Sequence, residues 1–298
     1  MNPIVSICCQ TYNHKEYIKE CLDGFIKQQT NFEFEVLVHD DASSDGTTEI
    51  VKEYEQKYPN LFRCVYQSEN QFNKINSLTD ILFKMVKGKY IALCEGDDYW
   101  TDPYKLQKQV DFLEANQDYV LCFHKVKVLK ADGSLVDDFI TKVPEIYETQ
   151  EALAAFGNYI HTPSVVFRNI LTASPEEAKL APIGDYFLYM RLTNFGKIKR
   201  LDDTMGVYRH GVGGYSSKTS WALTKKSLVT YMLIASCMPK EEVKFILLNR
   251  VINGIEGLEG VFRSEFKKEF LSNHIIYRIV KLLLSPKKLV KKVLSKLK

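Results

Sequence analysis

The chain has 298 residues, 45% hydrophobic and 12% aromatic, with 40 Lys and Arg against 37 Asp and Glu for a net charge of +3. This composition excludes intrinsic disorder and is enough to bury the core of one sizeable domain, or of one domain and an extension. The charge is uneven: Phe270 to Lys298 holds eight Lys and Arg and no acidic residue, so the rest carries −5, which excludes a basic nucleic-acid-binding body and points to a tail that meets an anionic surface.

In chain order, residues 4–10 form an unbroken apolar run, the pattern of a strand buried on both faces. From Asn13 a helix is predicted, because Tyr17, Ile18, Cys21, Leu22, Phe25 and Ile26 recur at helical spacing. Residues 34–39 predict a second strand. Ser44 and Asp45 then offer an N-cap to a helix through Ile50, Val51 and Tyr54, with Pro59 beyond its end. A third strand follows at 62–66, a helix at 78–86 and a fourth strand at 90–94. This alternation predicts an α/β fold, Rossmann-like, with a mostly parallel sheet flanked by helices. Residues 103–116 predict a helix. Residues 120–129 and 135–140 predict a hairpin about Ala131, Asp132 and Gly133. A short strand at 165–167, a helix at 185–193 and a last strand at 205–208 precede a glycine-rich loop at 211–214.

Beyond Trp221 the pattern is helical, which divides the chain into an α/β domain (1–218) and a helical extension (219–298). At the end, Leu289, Val290, Val293, Leu294 and Leu297 fall on one stripe with lysines mostly opposite, the pattern of a basic helix that lies on a membrane surface. The seven cysteines include no CxxC pair, and Cys8, Cys64, Cys94 and Cys122 sit in strand-like runs, so they read as reduced, buried thiols. The apolar run at 4–9 is too short for a secretory signal, and no window of ~18 uncharged apolar residues exists to span a bilayer. The expected location is cytoplasmic, peripheral on the inner face of the cell membrane, with residues 274–298 on the anionic surface.

In an open parallel sheet, ligands bind beyond the carboxyl ends of the strands. Here three strands end in Thr11, Tyr12 and Asn13; in His39, Asp40, Asp41 and Asp45; and in Glu95, Asp97 and Asp98. Carboxylates gathered at neighbouring strand ends repel one another unless a cation relieves them. Hard oxygen ligands suit Mg²⁺ or Mn²⁺, which in turn bind phosphate oxygens. There is no GxGxxG after the first strand, no GxxxxGK[ST] and no HExxH, which argues against dinucleotide, P-loop and zincin sites.

Three ordered stretches, VSICCQTYN at 5–13, FEVLVHDDASSDGT at 34–47 and GKYIALCEGDDYW at 88–100, resemble the family 2 glycosyltransferases of the GT-A fold. Pro103, Lys105, Leu106 and Gln109 in the following helix, and Ile183, Gly184 and Asp185 further on, are similar to the same family. The resemblance covers about residues 3–215 and implies an inverting transfer from a nucleotide-diphosphate sugar, usually a UDP-sugar, with Mn²⁺ or Mg²⁺ as cofactor. It implies that Tyr12, between Thr11 and Asn13, stacks on the base; that Asp41 bonds the base edge, with Asp40 beside it; that Asp97 and Asp98 hold ribose and metal; and that Asp185 is the general base. Glu95 stands where Asp is usual, and Phe72 where the family often has glycine, which leaves Lys74 as the phosphate contact in that loop.

Asp45 and Gly46 read as a turn and helix cap. His161 and Arg209 are candidates for the acceptor or diphosphate, His210 for a further metal ligand, and Trp100 for core packing or a wall of the acceptor cleft. The loop at 211–217 could close on the donor. The expected partners are a nucleotide-sugar donor and a saccharide or lipid-linked saccharide acceptor of surface polysaccharide or glycolipid synthesis, with a homo-oligomer open and no nucleic acid. Two other readings remain: a sugar-nucleotide nucleotidyltransferase, and a non-catalytic membrane-associated binding protein of the same fold.

Overall fold

The computed structural model describes residues 2–71, 78–171, 174–212 and 220–256. Lys74, residues 213–217 of the glycine-rich loop region and the basic segment 274–298 lie outside the described residues. The chain divides into two compact units, 1–180 with 184–218, and 181–183 with 219–298.

The first unit runs β1 (Val5–Thr11), α1 (Ile18–Ile26), β2 (Phe34–Asp40), α2 (Thr47–Lys57), β3 (Phe62–Tyr66), α3 (Leu78–Phe83), β4 (Tyr90–Leu93), β5 (Tyr99–Trp100), α4 (Lys105–Ala115), β6 (Tyr119–Leu129), β7 (Leu135–Asp137), α5 (Gln150–Phe156), β8 (Val166–Arg168), α6 (Glu176–Leu180), α7 (Gly184–Leu192) and β9 (Lys197–Arg209). One sheet has the order β3-β2-β1-β4-β8-β6-β9-β5, with β7 on β6. Its first half is parallel, as the strand–helix alternation predicts. The second half is mixed. There β8 runs antiparallel to both β4 and β6, β5 antiparallel to β9, and β9 parallel to β6. The fold class is therefore α/β with a mixed sheet and flanking helices.

The core follows from the buried runs. Val5, Ile7, Val36, Val38, Tyr90 and Ala92 of the parallel strands pack with Leu22 and Phe25 of α1, Val51 of α2 and Leu106, Val110 and Leu113 of α4. Each Val, Leu, Ile or Phe among them contributes about 1.5–3 kcal/mol on full burial. Close packing also explains a glycine: a Cβ on Gly88 would lie 2.5 Å from the Ser6 amide nitrogen, so only glycine lets β4 enter beside β1. All seven cysteines are free thiols; Cys8, Cys94 and Cys122 are buried and Cys64 is half-buried.

Several boundaries differ from the sequence reading. The first helix begins at Ile18 rather than Asn13, because Asn13 takes a left-handed φ of 54° that helix cannot continue. The helix after β2 begins at Thr47, with Gly46 left-handed before it. The last strand starts at Lys197 rather than Met205. Its first half is charged and largely open to water, so no apolar run marks it. β5 and α5 were not anticipated; both are short.

Lys105 is fully buried, with its Nζ 2.7 Å from Gln109 Oε1 and 4.0 Å above the Trp100 ring. Burial pushes its ammonium down to about 7 from 10.5. Between those values the unfolded chain holds a proton that the folded chain has released, so Lys105 makes stability rise with pH across that window. One proton amounts to a slope of about 1.4 kcal/mol per pH unit. Lys105→Met is expected to flatten the rise in denaturation midpoint between pH 7 and 10; parallel profiles for the two proteins would contradict this.

The second unit contains α8 (Ser220–Cys237) and α9 (Glu241–Glu256). Val243, Leu247 and Val251 of α9 and Leu228, Met232 and Leu233 of α8 are buried, and the Arg250 guanidinium lies 4.4 Å over the Tyr231 ring. The helices approach closely: a Cβ on Gly254 would lie 2.5 Å from Leu228 Cδ2. Among the described residues, no helix is long and apolar enough to cross a membrane.

Candidate active site

The ends of β2, β1 and β4 are adjacent, and backbone hydrogen bonds stitch their loops together. Asp41 N donates to Thr11 O at 3.0 Å, and Gly96 N donates to Gln10 O at 2.8 Å. A Cβ on Gly96 would meet Thr11 Oγ1 at 2.6 Å and His14 Nδ1 at 3.0 Å, so the glycine lets the acidic loop lie against β1. The sheet thus brings Glu95, Asp97 and Asp98 to its carboxyl edge, where one carboxylate oxygen from each lies within 4.8 Å of the other two.

The cluster carries an electrostatic cost that its protein neighbours offset only in part. Asp98 is 1% exposed, and burial, then the Asp97 charge, hold its carboxyl well above the usual range. Glu95 is open to solvent, and partial desolvation, then the Asp97 and Asp185 charges, raise its carboxyl above its ordinary value. Burial also lowers the pKa of His14, whose Nε2 lies 3.9 Å from Asp97 Oδ2. Among the described residues, four buried polar atoms here have no hydrogen-bond partner: Asp97 Oδ1, Asp98 Oδ2, Thr11 Oγ1 and His14 Nδ1. Each such group costs about 1–3 kcal/mol when left unmet. An oxygen-rich set with free acceptors and mutual repulsion fits a hard divalent cation.

Around this cluster the predicted residues take different positions. Tyr12 presents a ring that is 45% exposed, as a stacking platform requires. Asn13 Oδ1 accepts from Ser44 N at 2.9 Å and so holds the loop after β2. Asp41 is buried and its Oδ1 accepts from Gln71 N at 2.7 Å. Asp40 is a correction: it is 1% exposed, with Oδ1 accepting from the Ser43 hydroxyl at 2.5 Å and Oδ2 from Thr48, so its carboxylate braces the turn instead of facing a nucleotide. Asp45 does serve the turn, accepting from Lys15 N and Thr47 N at 3.0 Å each.

Asp185 begins α7. Its Oδ1 accepts from Tyr186 N at 2.7 Å and its Oδ2 from Asn158 Nδ2 at 2.9 Å, with Thr162 Oγ1 at 3.5 Å. Burial raises its pKa against these hydrogen bonds. Its charge contributes, after burial and Asp97, to the raised pKa of Glu95.

Two further candidates, His210 and Arg209, are corrected, and Trp100 takes the first of its two expected roles. Trp100 is 4% exposed, packs on Phe25 at 4.8 Å between ring centroids and donates Nε1 to Pro163 O, so it is core and not a cleft wall. His210 packs its ring on Phe139 at 5.5 Å and is not a member of the acidic cluster. Arg209 does not present a free cation to a diphosphate, since its guanidinium is 6% exposed and bonded to Asp97 O and Glu20. His161 is buried, with Nε2 3.0 Å from Asp138 Oδ2, and it directly precedes Thr162. His14, Glu20, Asn158 and Thr162 were not singled out from the sequence. The position of His14 at the end of β1 could have flagged it; Asn158 carries no local signal.

The family model described as Glycosyl transferase family 2 matches residues 6–173. A protein of Mycobacterium tuberculosis described as uncharacterized is 42% identical over 211 residues, 70% of this chain and 60% of that protein. The poly(ribitol-phosphate) beta-N-acetylglucosaminyltransferase TarS of Staphylococcus aureus is 26% identical over 91% of this chain and 44% of its own length. The chain therefore spans less than two thirds of these curated relatives. The crystal structure of TarS 1–349 in complex with UDP matches with a TM-score of 0.58 at 21% identity, over 91% of this chain and 72% of that one. The mannosyltransferase PcManGT from Pyrobaculum calidifontis, in complex with GDP-Man and Mn²⁺, matches at 0.56 and 15% identity over 98% and 88%. At these identities the two structures speak for the fold.

Proposed function

Since the chain belongs to the family 2 glycosyltransferases, we propose that it is an inverting, metal-dependent enzyme that moves a sugar from a nucleotide-diphosphate donor, a UDP-sugar, to a saccharide acceptor in cell-surface polysaccharide or glycolipid synthesis. The observation that carries this reading is the trio Glu95, Asp97 and Asp98, one carboxylate oxygen of each within 4.8 Å of the other two at the carboxyl edge of the sheet. Sugar transfer needs both halves: a place for the diphosphate and a base for the acceptor. TarS in complex with UDP supports the choice of uridine, and Mn²⁺ beside GDP-Man in PcManGT supports the choice of ion.

Asp97 and Asp98, with Glu95, would hold Mn²⁺ or Mg²⁺. Bound there, the cation neutralises charge that builds on the leaving diphosphate. Tyr12 would lie against the base, and Asp41 beside it. Asp185 accepts the proton of the acceptor hydroxyl as that oxygen bonds to the anomeric carbon. The bond from that carbon to the diphosphate oxygen breaks in the same displacement, and the nucleotide leaves with the electron pair. Attack from the opposite side inverts the centre, so an α-linked donor yields a β-linked product. Asn158 and Thr162 keep one oxygen of the base in place.

Thermal denaturation with UDP-, GDP- and dTDP-sugars, each with and without Mn²⁺, tests the reading. A ligand at 100 times its Kd stabilises by about 2.7 kcal/mol. A shift that requires both a UDP-sugar and Mn²⁺ is expected; no metal-dependent shift with any nucleotide would refute the proposal. A lipid-linked acceptor fits the acid-free stretch from Phe270 onward, where each Lys near an anionic leaflet adds about 1 kcal/mol. Truncation after Asn273 is expected to reduce pelleting with anionic vesicles, and unchanged pelleting would remove the membrane part of the proposal.

A further inference from the structure

Arg209 ends β9, and its surroundings are unusual for a cation beside an acidic site. Its guanidinium is 6% exposed and lies between two aromatic rings, 5.0 Å from the Tyr17 centroid and 4.6 Å from that of Tyr99. Its Nη1 donates to the Asp97 carbonyl at 2.5 Å, and its Nη2 donates to Glu20 Oε2. Its own backbone N–H donates to Asp98 Oδ1 at 2.8 Å. One residue therefore touches both aspartates of the acidic loop, one through its main chain and one through its side chain. The pairing of β5 with β9 at Tyr99 and Val207 holds this residue in register with the loop.

We propose that Arg209 is a positioning residue for the cation site: its planar fork fixes the Asp97 peptide while its amide fixes the Asp98 carboxylate, so that Asp97 Oδ1 and Asp98 Oδ2 stay free for the metal. The proposal rests on the reading of Glu95, Asp97 and Asp98 as a metal site. Fixing the geometry matters because ligand oxygens that repel one another would otherwise swing apart. The two tyrosine rings hold the guanidinium plane by cation–π contact, and Glu20 takes its second nitrogen, so little conformational freedom remains. Lysine cannot reproduce this arrangement, since an ammonium is a point charge without a fork.

Two roles for Arg209 predict opposite signs. If its charge were its main effect, removing it would tighten Mn²⁺ binding, because a cation near a cation site repels the ion. If it acts by position, removing it loosens Mn²⁺ binding, and outer partners of metal ligands typically contribute 10–100-fold in affinity. The measurement is Mn²⁺ affinity of the full chain by electron paramagnetic resonance, for the wild type, Arg209→Met and Arg209→Lys. Tenfold or greater weakening in both variants is expected, with Lys no better than about twofold above Met. Unchanged or tighter binding in Arg209→Met overturns the proposal, and so does full rescue by lysine. If Arg209→Met does not fold, Arg209→Lys decides alone: tenfold weakening supports the proposal and wild-type affinity overturns it. Absence of Mn²⁺ binding in the wild type would instead remove the metal-site reading itself, and the proposal with it.

Discussion

Asp185→Asn is expected to lower the rate of sugar transfer by about 10²–10⁴-fold while leaving Mn²⁺-dependent UDP affinity within about twofold of wild type. That loss corresponds to roughly 3–5 kcal/mol of transition-state stabilisation. The reason is local. Asp185 is held by Tyr186 N, Asn158 Nδ2 and Thr162 Oγ1, none of them part of the acidic loop that would take the diphosphate. The amide keeps one acceptor oxygen, enough for either Tyr186 N or the Asn158 and Thr162 pair, and it cannot take a proton from the sugar hydroxyl. Burial raises the Asp185 pKa, so the base ionises at a higher pH than an ordinary aspartate. Transfer is therefore expected to climb with pH through that raised value, and the variant should lose this ascending limb. Loss of UDP binding together with activity would show that Asp185 serves the donor site and not the acceptor proton.

Asp98→Asn is expected to separate stability from function. Without metal, the folded Asp98 carboxyl has a raised pKa from burial and from Asp97 and Glu95. The fold therefore keeps a proton at pH values where the unfolded chain has lost it, and metal-free stability falls as pH rises above the ordinary carboxylate range. Asparagine removes that charge and keeps an acceptor for Arg209 N, which the aspartate now accepts at 2.8 Å. Each 1 kcal/mol recovered should raise the metal-free Tm by about 2–4 °C, most visibly above neutral pH. The same variant should lose the Mn²⁺- and UDP-dependent stabilisation seen in the wild type. A variant that keeps the full metal-dependent shift would show that Asp98 is not a ligand.

The parts of the molecule most legible in the sequence are those whose burial leaves a continuous apolar run. Residues of β1, β2 and β4 are buried on both faces, so their runs stand out and their polar ends mark the loops of the site. β9 was found only in part because its N-terminal half is charged and largely open, with Ile198 its one buried position. The role of Arg209 was illegible for a different reason. Its partners Asp97 and Glu20 lie 112 and 189 residues away in sequence, and no local pattern encodes such a contact. Trp100 and Asp40 show the converse limit. A residue type that suits a ligand also suits packing or a turn, and burial decides between them.

The central claim is that Glu95, Asp97 and Asp98 hold a divalent cation beside a nucleotide diphosphate. The most direct measurement is an anomalous difference map from crystals grown with Mn²⁺ and UDP, recorded at the manganese absorption edge. The account expects one strong peak among the carboxylates of Glu95, Asp97 and Asp98, with UDP next to it and Asp185 not among its ligands. UDP bound with no peak between these carboxylates, or a peak held by other residues, would contradict it.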